Sequence, residues 1–180
     1  MRPFKVKVNY PEQYKIAFSG LKPGLHIFDF LIGSEFFEKV GEPEICDGNI
    51  AVAVTMLKEE RMMDLHFTLE GTLVVPCDRC NEPVELELNG DERLIVKLGD
   101  RYFEESEDVQ IIPETDCQFD LAPFLYEYIH LMLPVRRVHF EDDDGNSQCD
   151  PEIIKKLTEL NPEKGPDPRW EALKKLKDLS

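Results

Sequence analysis

The stretch PVELEL, residues 83–88, alternates apolar and acidic side chains without a break. In an extended chain successive side chains point to opposite faces, so Val84, Leu86 and Leu88 share one face and Glu85 and Glu87 the other. A helical period of 3.6 would scatter the same residues around a cylinder, so a half-buried strand is the element this pattern specifies. Three neighbouring segments repeat the device. NIAVAVTMLKEE puts Ile50, Val52, Val54 and Met56 on one face. RMMDLHFTLEGTLVV sets Leu65, Phe67 and Leu69 against His66, Thr68 and Glu70. RLIVKLG follows PVELELNG with Leu94, Val96 and Leu98. The charged KEER suits a hairpin end, and the connections are too short for parallel crossovers. The expectation is an α+β fold built on an antiparallel meander, apolar on one face and polar on the other, with closure into a barrel left open.

The flanks add to this sheet. At the front FKVKV alternates, with Phe4, Val6 and Val8 on one face, and YKIAFSGLKPGLHIFDFLIG reads as two strands around the turn LKPG. SEFFEKVG reads as a short helix with Ser34 at its N-cap and Gly41 beyond its end. Further on, Asp120 and Pro123 open the main helix, and Leu121, Phe124 or Leu125, Tyr128, and Leu131 or Met132 recur at helical spacing until Pro134 stops it. This helix is the expected cover of the sheet. In the tail Asp150-Pro151 and Asp167-Pro168 each pair an N-cap with a proline suited to a first helical turn. The division expected is an α+β domain over 1–150 and a helical tail over 151–180. Residues 141–149 and 161–167, polar and without an apolar anchor, read as poorly ordered.

Charge narrows the function. The chain carries a net charge of −16. Residues 151–180 hold seven Lys/Arg against six Asp/Glu, so residues 1–150 carry −17. The acid is concentrated in GDRYFEESEDVQIIPETDCQFD and FEDDDGNSQCD. Such blocks either keep a chain in solution or attract a basic partner. The polar strand faces, with Thr68, Glu70, Glu85 and Glu87, are wrong for phosphate. Contact with RNA is left to the basic N-terminal segment and to the tail, with Lys155, Lys156, Arg169, Trp170, Lys174 and Lys175; those tail residues equally suit a solvated face or a protein partner. No apolar run approaches the roughly 18–20 residues of a membrane span. The N-terminus lacks the apolar block of a signal peptide, and the chain reads as cytoplasmic.

No glycine-rich phosphate loop, G-x-S-x-G or H-E-x-x-H is present. Carboxylates abound, but in loops, so no catalytic residue and no small-molecule substrate is assigned. The five cysteines are expected as reduced thiols. Cys77 and Cys80 form a C-x-x-C at a hairpin tip, between the strand ending at Val75 and the one starting at Val84. A tight turn can aim two thiolates at one ion, and a structural zinc site needs two ligands more. Cys46, Cys117, Cys149, His26, His66, His130 and His139 are the candidates. His139 and Cys149 share one irregular segment after Pro134, so Cys77, Cys80, His139 and Cys149 are the candidate Zn2+ set. The alternative is plain thiols without a cofactor.

Three landmarks in order, CDRCNEPVELEL, FDLAPFLYEYIHLMLPVRRVH and DPRWEALKKLK, give the chain a resemblance to the YceD family, the large ribosomal RNA subunit accumulation proteins. The resemblance runs from about residue 70 to the end. It implies a non-enzymatic role in the accumulation or processing of the 23S rRNA precursor and in large-subunit assembly. Carried over position by position, it points to Cys77, Arg79, Cys80, Asp120, Leu121, Glu127, Leu133, Pro134 and His139. Many relatives carry a cysteine-rich C-terminal knuckle; here only Cys149 stands in its place. The acidity favours a factor that meets a basic ribosomal protein or a pre-ribosomal large subunit, with Arg79 as a contact residue. A zinc-binding structural module and a metal-dependent RNA-processing nuclease are the other classes considered.

Overall fold

A computed structural model of the chain describes residues 12–40, 44–141 and 147–160. A 3-10 turn at Glu12–Tyr14 leads into β1 (Lys15–Ile16), followed by β2 (Gly24–Gly33), α1 (Ser34–Val40), β3 (Asp47–Lys58), β4 (Met62–Pro76) and β5 (Pro83–Gly99). Then come β6 (Phe103–Ser106), β7 (Val109–Pro113), β8 (Phe119–Asp120), α2 (Ala122–Met132) and α3 (Pro151–Leu160). Six strands form one mixed sheet in the order β2-β3-β4-β5-β7-β6, and β1 pairs with β8 in a second, two-stranded sheet. The fold is α+β, and the large sheet is open: β2 and β6 are its two edges, so it does not close into a barrel.

The alternation sets the core. Ile50, Val52, Val54 and Met56 of β3, Leu65, Phe67 and Leu69 of β4, and Val84, Leu86, Leu88, Leu94 and Val96 of β5 are all buried. Both of the first two helices cover this inner face. Phe36 and Phe37 of α1 and Leu125, Tyr128 and Ile129 of α2 are buried, and the rings of Phe67 and Tyr128 meet at 5.2 Å. The outer face lies open among the described residues.

Several expectations are corrected. PVELELNG and RLIVKLG are one strand of seventeen residues, paired with β4 from Pro76↔Pro83 to Met62↔Lys97. Asn89-Gly90 resembles a turn, but the even-numbered parity of inward residues runs straight through it. Gly90 serves a different purpose: a Cβ there would stand 2.6 Å from Met132 Cε, so the glycine lets the end of α2 approach the sheet. Nor is the sheet a pure meander. The acidic block holds the hairpin β6–β7, and β7 lies between β6 and β5, parallel to β5. Because β6 runs out to the edge and the chain turns back, a parallel neighbour arises without a helical crossover. LKPG does not join two paired strands: β1 pairs with β8 through Lys15↔Asp120 and Ile16↔Phe119.

Asp120 ends β8 and is not itself the N-cap; Leu121, already in a helical conformation, holds that place. Asp120 Oδ1 still accepts from the Ala122 amide at 3.0 Å, so it makes a capping bond from one position earlier. The first tail helix forms as α3, and Ile153 and Ile154 pack against the core. Residues 141–149 are not uniformly loose: Glu141 and Ser147 form a bridge, and Cys149 is buried. FKVKV, Gly41, residues 142–146 and 161–167 and the second tail helix lie outside the described residues.

Candidate metal centre

The tip of the β4–β5 hairpin is a tight turn. The Asn81 amide donates to the Cys77 carbonyl at 2.8 Å and the Cys77 amide to the Glu82 carbonyl at 2.9 Å. Asn81 supplies the left-handed residue, with φ +64°, which asparagine tolerates better than most side chains. The turn thereby carries Cys77 and Cys80 on one side, both 2% exposed.

The segment after α2 crosses this tip and is bolted to it. The Asp78 amide donates to the Arg137 carbonyl, and the Arg137 amide returns a bond to Asp78 Oδ2, both at 2.7 Å. The Arg137 guanidinium reaches Glu44 at 3.2 Å and Asp78 at 3.5 Å. Two residues on, His139 enters the cluster. Its Nε2 is 3.1 Å from the Pro83 carbonyl and can only donate to it, which leaves Nδ1 as the free lone pair. Nδ1 lies 3.4 Å from Cys80 Sγ and 3.6 Å from Cys149 Sγ, and Cys77 Sγ lies 3.7 Å from Cys149 Sγ.

All four donor atoms lie within 4.8 Å of one another. Zinc at about 2.3 Å from sulfur and about 2.0 Å from nitrogen sets tetrahedral edges of roughly 3.5–3.8 Å, so the shorter separations already match. The imidazole is oriented by a carbonyl on its far nitrogen, the usual support of a metal-bound histidine. Two of the three thiols are shifted toward the ligating thiolate. Burial pushes the Cys77 thiol up, but the amides of Cys80, Arg79 and His139 outweigh it and bring it down to about 6. Burial also raises Cys149, which the Ser147 hydroxyl and His139 overcome, leaving it lowered. Cys80 is raised, first by burial and then by its thiol neighbours. His139 is raised by its bond to Cys149, against burial. Three thiols and one imidazole fit Zn2+, and four protein donors close the shell as in a structural site.

Arg79, read from the sequence as a contact residue, lies half-buried beside this site. Its Nη1 is 3.1 Å from Ser147 Oγ and 3.5 Å from Glu141, so it holds both of these residues beside the cluster. Leu121 is fully buried at the start of α2, Glu127 is exposed on that helix, and Leu133 and Pro134 lead from its end toward His139. Asp120 stays at β1–β8. Lys155 and Lys156 are exposed on α3, whereas Arg169, Trp170, Lys174 and Lys175 lie outside the described residues. No motif marks Asp78, Arg137 and Glu44 as the bolt, because their pairing exists only once distant segments meet.

Fold and site together define a class: an open α+β sheet module whose hairpin tip is fastened to a following loop by a cysteine–histidine cluster. The chain belongs to the YceD family, described as the large ribosomal RNA subunit accumulation protein YceD, whose model matches residues 65–177. That span contains every residue of the cluster. Comparison with curated proteins and with solved structures finds no match. No helix among the described residues is long and apolar enough to cross a membrane.

Proposed function

We propose that the chain is a non-enzymatic factor of large-subunit biogenesis in the cytoplasm, supporting accumulation and processing of the 23S rRNA precursor. It acts through a basic ribosomal protein or the pre-ribosomal particle, and its hairpin tip is held by structural Zn2+. The observation that carries the reading is the family match over residues 65–177, which relates the chain to large ribosomal RNA accumulation. The acidity supports contact with a basic partner over naked RNA. The closed donor set supports a structural role for the ion, since a catalytic zinc keeps a position open. It also sets the nuclease reading behind this one: the donors grouped at the tip include no carboxylate. The zinc-binding module without a ribosomal role remains the second reading, favoured by the same cluster.

Depletion of the protein in growing cells tests the first reading. Free large subunits and mature 23S rRNA are expected to fall while precursor fragments rise. Unchanged subunit profiles and unchanged 23S rRNA would leave only the zinc-binding module.

A further inference from the structure

The two edges of the large sheet are built differently. β6 is four residues long, fully exposed, carries Glu104 and Glu105, and is kinked by a bulge between Glu104 and Ser106. Short length, charge and a bulge are the devices by which proteins keep an edge from pairing with other chains. β2 has little of this protection. It runs ten residues in unbroken register with β3, contains no proline, lysine or arginine, and has Asp29 as its one carboxylate. Among the described residues no strand pairs beyond it.

Apart from Asp29 and His26, both faces of β2 are apolar. Phe28 and Phe30 are half-buried at the rim of the core, while Leu25, Ile27 and Leu31 on the outer face are 64%, 65% and 65% exposed. An edge strand of this kind is a template for an added strand, whose backbone takes the amides and carbonyls left unpaired along it, the Leu31 carbonyl excepted because it accepts from the Tyr14 hydroxyl at 2.9 Å, and whose side chains pack beside the exposed row. We propose that the β2 edge binds an extended, basic segment of a protein partner by strand addition.

Charge selects that occupant. A second copy would bring another net −16 against the first. Following the register inward from β2, the open face carries Asp29, then Asp64 and Glu70 on β4 and Glu85, Glu87 and Asp91 on β5, against the two cations Arg93 and Lys97, so acid prevails on it. Lysines or arginines alternating with apolar residues satisfy both features: apolar side chains lie beside Leu25, Ile27 and Leu31, and cations meet the acidic face. The partner's link to the ribosome rests on the function proposed above; the surface does not.

The test uses the full chain and a synthetic peptide of about ten residues, the length of β2, alternating lysine with valine and threonine. Fluorescence anisotropy should show saturable binding that weakens with salt, and no binding of the same peptide with glutamate for lysine. Hydrogen exchange should show alternate amides of β2 open in the free protein and protected by the peptide. Ile27→Lys and Leu31→Lys, both at exposed positions, should weaken binding about ten-fold or more without lowering the melting temperature. Asp91→Lys, three strands in, should weaken it less.

Binding that ignores Ile27→Lys and Leu31→Lys would overturn the proposal. So would full protection of the β2 amides in the chain alone, which would show the edge occupied by the chain's own residues, or, if protection rose with protein concentration, by a second copy. Preferential binding of a bare rRNA fragment, lost in the same variants, would overturn it as well. None of these results depends on how subunit profiles respond to depletion.

Discussion

Cys77 Sγ and Cys149 Sγ stand 3.7 Å apart, although 72 positions separate the two residues in the chain. Two thiolates at about 2.3 Å from one tetrahedral zinc stand at roughly 3.8 Å. Protein purified without chelator is therefore expected to carry about one zinc per chain by metal analysis, and Cys149→Ser well under half of that. Fewer than about 0.2 zinc per wild-type chain would reduce the cluster to packed thiols.

Arg79 holds Ser147 and Glu141 beside the cluster. Arg79→Ala should leave the fold in place and make the ion easier to remove. Release into a chromophoric chelator is expected to quicken several-fold, in line with the usual effect of losing support around a ligand. An unchanged release rate together with a lost partner contact would leave Arg79 with the contact role alone.

Gly71 and Gly90 separate two kinds of close approach. A Cβ at Gly71 would stand 2.1 Å from the Asn49 carbonyl oxygen and 2.7 Å from Ile50 Cα, both backbone atoms of β3. Its counterpart at Gly90 meets only the flexible end of Met132. Gly71→Ala should cost about 1–3 kcal/mol in thermal or urea unfolding, and Gly90→Ala clearly less, because a thioether moves where a sheet backbone does not.

Asp64 receives two bonds from the Arg93 guanidinium, at 2.9 and 2.7 Å. Its carboxyl is lowered from the usual 3.8 chiefly by that hydrogen bonding. A lowered carboxyl contributes stability above its unfolded value and loses it as pH falls through its folded value. With Arg93 more than half exposed, Asp64→Asn should cost about 0.5–1 kcal/mol at neutral pH, measured by urea unfolding. That cost should fade in acid, below pH 4. A difference that stays constant into strong acid would mean packing, not charge, sets it.

Local pattern made much of this molecule legible. The parity of residues 84–98 in the sequence is the parity of burial in β5, and the C-x-x-C sits at the turn that period-two patterning on either side requires. His139 and Cys149 were readable as loop ligands because no helix or strand pattern claimed them. What escaped was non-local. VQIIP carries no sign that it lies parallel to β5 inside an acidic block. Lys15 cannot announce that its partner is Asp120, and a proline–glycine turn looks the same whether or not its flanks pair. The Arg137–Asp78 bolt depends on two loops meeting, so neither segment shows it alone.

Spanning 72 positions, the Cys77–Cys149 link encloses β5, the β6–β7 hairpin, β8 and α2. With an ion bound, that whole stretch becomes a closed ring of chain, and ligation offsets the entropy of bringing its ends together. Two contacts between segments apart in sequence lie inside the ring: β7 on β5, and the end of α2 on Gly90. Metal supply would then govern how fast the chain folds as well as how stable it is, with chelation slowing refolding most in the half of the sheet beyond β4.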